Sequence, residues 1–203
     1  MNFNPKEWFS NYLKKKKPLS IFIDVVFIVL VVLLIIPGTR TTVGAFFIRM
    51  TSFPPSTIEK SEQITLGKNS KNWTLKDMQG NLVTFSELNQ KPVFVNIWAT
   101  WCPPCVAELP GIQEIANEYK NEVSFVLVTN ENIETVRAFL KKHQYEDLPV
   151  YFSTETPLEF SSNSIPATFI VSRDGRIVVN KKGAARWNTG TTKNLLDELI
   201  IEQ

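Results

Sequence analysis

Residues 93–105 read VFVNIWATWCPPC, and this stretch decides the fold. Val93 to Ala99 is an apolar run broken only by Asn96, the pattern of a strand buried on both faces. Cys102-Pro103-Pro104-Cys105 then opens a new period. Val106, Leu109, Ile112, Ala116 and Tyr119 recur at helical spacing and predict a helix from about Pro103 to Lys120, with Pro110 expected to kink it. Prolines at 103 and 104 suit a first helical turn, where backbone N–H groups have no intrahelical partner.

The position of the two cysteines carries the chemistry. A thiolate is the nucleophile of thiol–disulfide exchange, and a helix N-terminus stabilises its charge with the helix dipole and free N–H groups. Two intervening residues place the second thiol within one turn, close enough to form a disulfide or resolve a mixed one. Cys102, first and expected to be the more exposed, is the candidate nucleophile; Cys105, one turn further, is the candidate resolving thiol. Pro103 and Pro104 remove two N–H donors from the neighbourhood of Cys102. Less stabilisation of its thiolate is therefore expected than in strongly oxidising C-x-x-C proteins, which favours a reductant.

These are the only cysteines among 203 residues, and His143 is the only histidine. One Cys pair cannot build a four-ligand zinc site or a disulfide-rich scaffold, and one histidine is poor material for a metal cluster. Haem attachment needs a histidine after the second cysteine, where this chain has Val106. A purely structural disulfide across so short a loop would stabilise little. No cofactor and no metal are expected beyond the dithiol itself.

Outward from this centre, the strand and helix signals continue. Trp73-Thr74-Leu75 and Leu82 to Phe85 flank Gln79-Gly80-Asn81 and predict a hairpin. Ser86 is placed to cap a short helical turn through Asn89. Val123 to Thr129 reads as another buried strand. Ile133, Val136, Phe139 and Leu140 mark a helix capped by Asn130 or Asn132. Pro149–Phe152, Ala167–Val171 and Arg176–Val179 predict further strands, the last two joined at Asp174-Gly175. A closing helix carries Leu195, Leu196, Leu199 and Ile200 and starts near Thr191 or Thr192. The expected fold class is α/β: a mixed central sheet flanked by helices, with an N-terminal β-hairpin extension.

The first 61 residues have a different composition. Residues 1–18 carry five lysines and one glutamate, a charge of +4. Residues 61–203 come to −3, so the overall +2 gives no case for nucleic-acid binding. Leu19 to Ile36 is almost wholly aliphatic or aromatic, with Asp24 its only charge, and predicts one N-terminal transmembrane helix. No small-residue cleavage pattern follows, so an uncleaved anchor is expected rather than a cleaved signal. Lys14 to Lys17 lie directly before the span, which puts the N-terminus in the cytoplasm and the remainder outside it. Residues 43–53 predict an interfacial segment or a continuation of the anchor helix, and 54–61 a polar tether. The expected domains are a basic tail (1–18), an anchor (19–36), a juxtamembrane segment and linker (37–61) and a redox domain (62–203).

WCPPC after VFVNIWAT, with SIPATFIVSRDGRIV at residues 164–178, resembles the thioredoxin superfamily. Within it the chain resembles the TlpA/ResA branch of membrane-anchored bacterial thiol–disulfide oxidoreductases, over about residues 62–203. The resemblance implies a thioredoxin-like fold and a cis peptide bond at Ile165–Pro166, beside the cysteines, where the Ile165 backbone is offered to a bound peptide. It implies that Glu108, three residues after Cys105 and on the same helix face, exchanges protons with the dithiol. Asn96 stands where thioredoxin itself has a buried aspartate; Asn cannot titrate, so more of the proton work falls to Glu108. Trp98 reads as a packing residue, and Trp101 as a rim residue that contacts substrate together with Pro103, Pro104, Ile165 and Pro166. GAARW at 183–187 reads as structural.

The expected function is reduction of disulfides in other proteins by an enzyme anchored in the bacterial cytoplasmic membrane, with its catalytic domain periplasmic or otherwise extracytoplasmic. The resemblance implies recharging by a membrane thiol electron donor, and it extends the substrates to the haem-site cysteines of apocytochrome c, although no residue selects them. Two alternatives remain open at this point. One is an oxidase or isomerase that donates disulfides; the other is a non-catalytic tethered module that binds secreted chains.

Overall fold

The computed structural model describes residues 17–35, 53–59 and 62–202, without the side chains of residues 34 and 35. Lysines 14–16 and residues 43–52, the basis of the expected orientation and interfacial segment, lie outside the described residues.

Helix α1 (Pro18–Ile35) takes up the apolar N-terminal run. Among the described residues no helix is long and apolar enough to cross a membrane. The 18 residues of α1 rise ~27 Å, against a hydrocarbon core of ~30 Å.

The sheet has eight strands: β1 (Ile64–Thr65), β2 (Thr74–Asp77), β3 (Leu82–Thr84), β4 (Val93–Ile97), β5 (Ser124–Thr129), β6 (Val150–Phe152), β7 (Ala167–Val171) and β8 (Arg176–Lys182). Their spatial order is β1-β8-β7-β4-β5-β6-β2-β3. Strands β4, β5 and β6 are mutually parallel, and β7, β8 and the β2–β3 hairpin add antiparallel neighbours on either side. The sheet is mixed, as its sequence pattern predicts, with the buried strand β4 at its centre.

Alternation along the strands divides the core into two. Phe94, Phe125, Leu127 and Ile170 face one way and pack with Leu109, Ile112 and Ile115 of α4 (Pro103–Glu118). Val136 and Leu140 of α5 (Ile133–His143) and Leu196 and Leu199 of α6 (Gly190–Ile201) join the same cluster. The alternate residues Val93, Val95, Val126, Val128, Phe169 and Val171 face the other way. They are covered mainly by an aromatic group, not by long helices: Phe160 lies 5.4 Å from Trp73, 5.2 Å from Phe85 and 5.4 Å from Phe169 between ring centroids. Short helices α2 (Lys68–Lys71) and α3 (Phe85–Leu88) carry or flank these rings. The helices therefore flank the sheet unequally.

Helix starts differ from the sequence expectation where two capping residues compete. Helix α3 is capped by Thr84, not Ser86: Thr84 has extended backbone (φ −86°, ψ 148°), and its N–H donates to the Glu87 carboxylate at 2.8 Å. Helix α6 begins after Thr189, whose hydroxyl accepts from Thr192 N–H at 3.2 Å, two or three residues earlier than expected. Asn132 caps α5, accepting from Glu134 N–H at 2.8 Å. The described part of the tether is not independent of the domain. Ile58 N–H donates to the Val178 carbonyl at 2.9 Å, and Arg186 N–H to the Phe53 carbonyl at 3.2 Å.

Candidate active site

The end of β4 delivers the two cysteines. After Ile97 the chain turns, and the Cys102 N–H donates to the Ala99 carbonyl at 3.2 Å, closing a four-residue turn over Ala99-Thr100-Trp101-Cys102. Cys102 is the N-cap of α4, with Pro103 and Pro104 as its first two residues. The two cysteines are joined by a disulfide with their Cα atoms 5.3 Å apart. The prolines leave one close backbone donor: Cys105 N–H points at the Cys102 sulfur at 3.3 Å. Once the pair is reduced, this N–H and the helix dipole favour negative charge on Cys102.

Neither cysteine is open to solvent in this oxidised state, with Cys102 3% and Cys105 1% exposed. Cys102 is the more exposed of the two only by a small margin, because the segment before β7 lies against its sulfur. Its sulfur lies 3.8 Å from the carbonyl oxygen of Ile165. The Ile165–Pro166 peptide bond is cis, as the resemblance implied. Trp101 stands out from the rim at 63% exposure, whereas Trp98 is buried and packs against Phe139.

Glu108 lies one turn beyond Cys105 and is 3% exposed. Its Oε1 accepts from the backbone N–H of Ala185 at 2.8 Å and from the indole Nε1–H of Trp187 at 2.7 Å. Its Oε2 is 3.4 Å from the Asn96 amide nitrogen, which also donates to the Thr168 hydroxyl at 2.8 Å. Asn96 and Thr168 are direct cross-strand partners on β4 and β7, so sheet register assembles that part of the network. Burial pushes the Glu108 carboxyl up to about 7. The Ala185, Trp187 and Asn96 donors and the nearby Lys181 charge pull the other way. A cleft of about 100 Å³, lined by Glu108, Gly111, Glu114, Arg186 and Asn188 among others, reaches this carboxyl from outside.

Two parts of the site were not legible in the sequence. GAARW reads as structural, yet its Ala185 N–H and Trp187 indole grip Glu108 across 77 and 79 residues of chain. A buried Trp usually finds a partner for its N–H, which is the signal that was available, although the buried Trp98 indole has none among the described residues. The second is Glu131, whose carboxylate binds Thr100 beside the redox motif. Among the described residues no group of three or more His, Cys, Asp or Glu is placed to hold a metal ion.

Comparison with known proteins agrees with this geometry. The Redoxin family model matches residues 65–199. Thiol-disulfide oxidoreductase ResA of Bacillus subtilis (strain 168) is 32% identical over 121 residues, covering 58% of this chain and 67% of that protein. ResA of Bacillus cereus (strain ZK / E33L) is 30% identical over 121 residues, covering 58% and 69%. The crystal structure of a thiol:disulfide interchange protein of the thioredoxin family from Chlorobium tepidum TLS superposes with a TM-score of 0.51 at 20% identity, covering 71% of this chain and 97% of that one, which speaks to the fold alone. The chain belongs to the Redoxin family and, within it, to the ResA-like thiol–disulfide oxidoreductases.

Proposed function

We propose that this oxidoreductase works as a reductant of protein disulfides on the outer side of the cytoplasmic membrane. The Cys102 thiolate attacks a substrate disulfide; a Cys102–substrate bond forms, the substrate S–S bond breaks, and one substrate sulfur leaves as a thiolate. Cys105, deprotonated toward Glu108, then attacks the Cys102 sulfur. The internal disulfide forms, the second substrate sulfur leaves, and two electrons have passed to the substrate. Glu108 returns its proton as the dithiol is regenerated. The substrate peptide lies extended against Ile165 and Pro166, between Trp101 and the Pro103-Pro104 rim.

The observation that carries the direction of transfer is the helix start, where Pro103 and Pro104 leave few N–H donors near Cys102. Glu108, its carboxyl raised to about 7 by burial, serves proton exchange in either direction. A disulfide donor gains its driving force from a strongly stabilised Cys102 thiolate, and two prolines at the helix start have removed donors that would supply it. The distinguishing measurement is the reduction potential against glutathione. A value in the thioredoxin range of about −270 mV supports the reductase, and one near about −120 mV establishes the disulfide donor in its place.

Anchoring rests on α1 and the lysines before it. The helix is apolar apart from Ser20 and Asp24 and close to the length of a span, and Lys14 to Lys17 favour a cytoplasmic N-terminus. Reduction outside the cytoplasm then calls for a membrane thiol carrier as electron donor, and the resemblance extends the proposed protein-disulfide substrates to apocytochrome c. Retention in the membrane pellet after alkaline extraction, with labelling of reduced Cys102 by a membrane-impermeant thiol reagent on intact spheroplasts, is the expected result. Release by alkaline extraction contradicts the anchoring, and protection from the reagent contradicts the outward orientation.

A further inference from the structure

Thr100 stands two residues before Cys102, inside the turn closed by the Cys102 N–H and the Ala99 carbonyl. Both of its polar donors go to one side chain. Its backbone N–H donates to Glu131 Oε2 at 2.6 Å and its hydroxyl to Glu131 Oε1 at 2.7 Å. Glu131 is half-buried on the loop between β5 and α5, and it is itself tied back to β5: its N–H donates to the Thr129 hydroxyl at 3.3 Å. The turn that delivers the nucleophile is thus clamped to the end of the neighbouring parallel strand, 31 residues away. Charge-assisted bonds of this length are the strong kind, and two on one residue fix both its position and its orientation.

We infer that Glu131 is the positioning residue of the Cys102 turn, setting the angle at which the sulfur meets an incoming disulfide. In-line attack on a disulfide is sensitive to placement, and misplacement of a reacting atom by ~1 Å costs up to about 10²-fold in rate. The clamp holds the turn from beneath and leaves the rim free, so substrate binding is untouched while the attack step depends on it. The inference rests on Cys102 being the attacking thiol, and the test below separates the two.

The experiment follows mixed-disulfide formation with a disulfide-bonded peptide in a Cys105→Ser background, which isolates attack by Cys102. Glu131→Ala is expected to slow the maximal rate of adduct formation about tenfold with half-saturation within about twofold. Glu131→Gln is expected to stay within about twofold of the parent, because its amide can accept from the Thr100 N–H and donate to the Thr100 hydroxyl, preserving the grip without the charge. Thr100→Val, which keeps only the N–H bond, is expected to fall between them. Thermal midpoints of Glu131→Gln and Thr100→Val identify any general loss of folding. An unchanged rate in Glu131→Ala overturns the inference, as does a Glu131→Gln as slow as Glu131→Ala, since the charge and not the grip would then matter. No adduct at all with Glu131 intact would instead overturn the assignment of Cys102.

Discussion

The two cysteines stand one turn apart in contrasting surroundings. In front of Cys102 the contacts are backbone, the Ile165 carbonyl and the Cys105 N–H, beside a rim of exposed Trp101 and the two prolines that open α4. Around Glu108, one turn beyond Cys105, lies a buried polar network of side chains from four parts of the chain, Asn96, Glu108, Thr168 and Trp187, with the Ala185 N–H added. A backbone-lined front suits many substrate sequences, because main-chain groups are common to all peptides. A closed network at the rear suits one defined task, the movement of a proton. In the proposed mechanism the front selects little and the rear sets the pH range.

Replacing the rear carboxyl is the strongest way to break that division. Glu108→Gln retains an oxygen for Ala185 and Trp187 but cannot ionise, and resolution of the mixed disulfide at pH 7 is expected to slow by about 10²-fold, read by stopped-flow with unchanged initial attack. The same variant tests the thermodynamics. The folded protein holds the Glu108 proton up to about pH 7, whereas the ordinary value is 4.5. Stability from this group is therefore complete below about pH 4.5 and is lost as pH rises through 7, amounting to about 3 kcal/mol at most. Denaturant titrations from pH 4 to 8.5 should show that decline in the parent and a flatter profile in Glu108→Gln; parallel profiles would contradict a raised carboxyl.

A smaller effect is expected from Trp187→Phe. Losing the 2.7 Å indole donor removes one stabiliser of the charged form, so the acidic limb of the resolution rate should move up by about one pH unit. A downward shift would mean that the indole does not favour the carboxylate. The smallest effect belongs to the front. Trp101→Ala removes an exposed ring, and a rise in KM of about threefold with kcat unchanged is expected for peptide disulfides. A fall in kcat alone would move Trp101 from the rim into the chemistry.

What could be read in advance follows the same contrast. Much of the front is local in sequence: the strand pattern of 93–99, the C-x-x-C spacing and the helix start were legible because each depends on neighbours within a few residues, whereas the Ile165–Pro166 pair, 63 residues from Cys102, was placed only by the family resemblance. Glu108 was legible through the family resemblance, supported by its position one turn after Cys105. Its holders were not, since nothing in residues 183–187 reveals that a sheet edge and a loop will bring Trp187 against a glutamate on α4. The Thr100–Glu131 clamp escaped for the same reason. The near misses in helix starts were of another kind: Thr84 and Ser86, or Thr189 and Thr192, are chemically equal caps, and only the extended backbone of the true cap separates them.

The most direct test of the central claim is to react each single-cysteine variant with a disulfide-bonded peptide and identify the sulfur that carries the adduct by mass spectrometry. The account predicts a stable mixed disulfide on Cys102 in Cys105→Ser and none on Cys105 in Cys102→Ser, since Cys105 is covered by Cys102 and the start of α4. A stable adduct on Cys105 in Cys102→Ser, formed as fast as the one on Cys102, would contradict it.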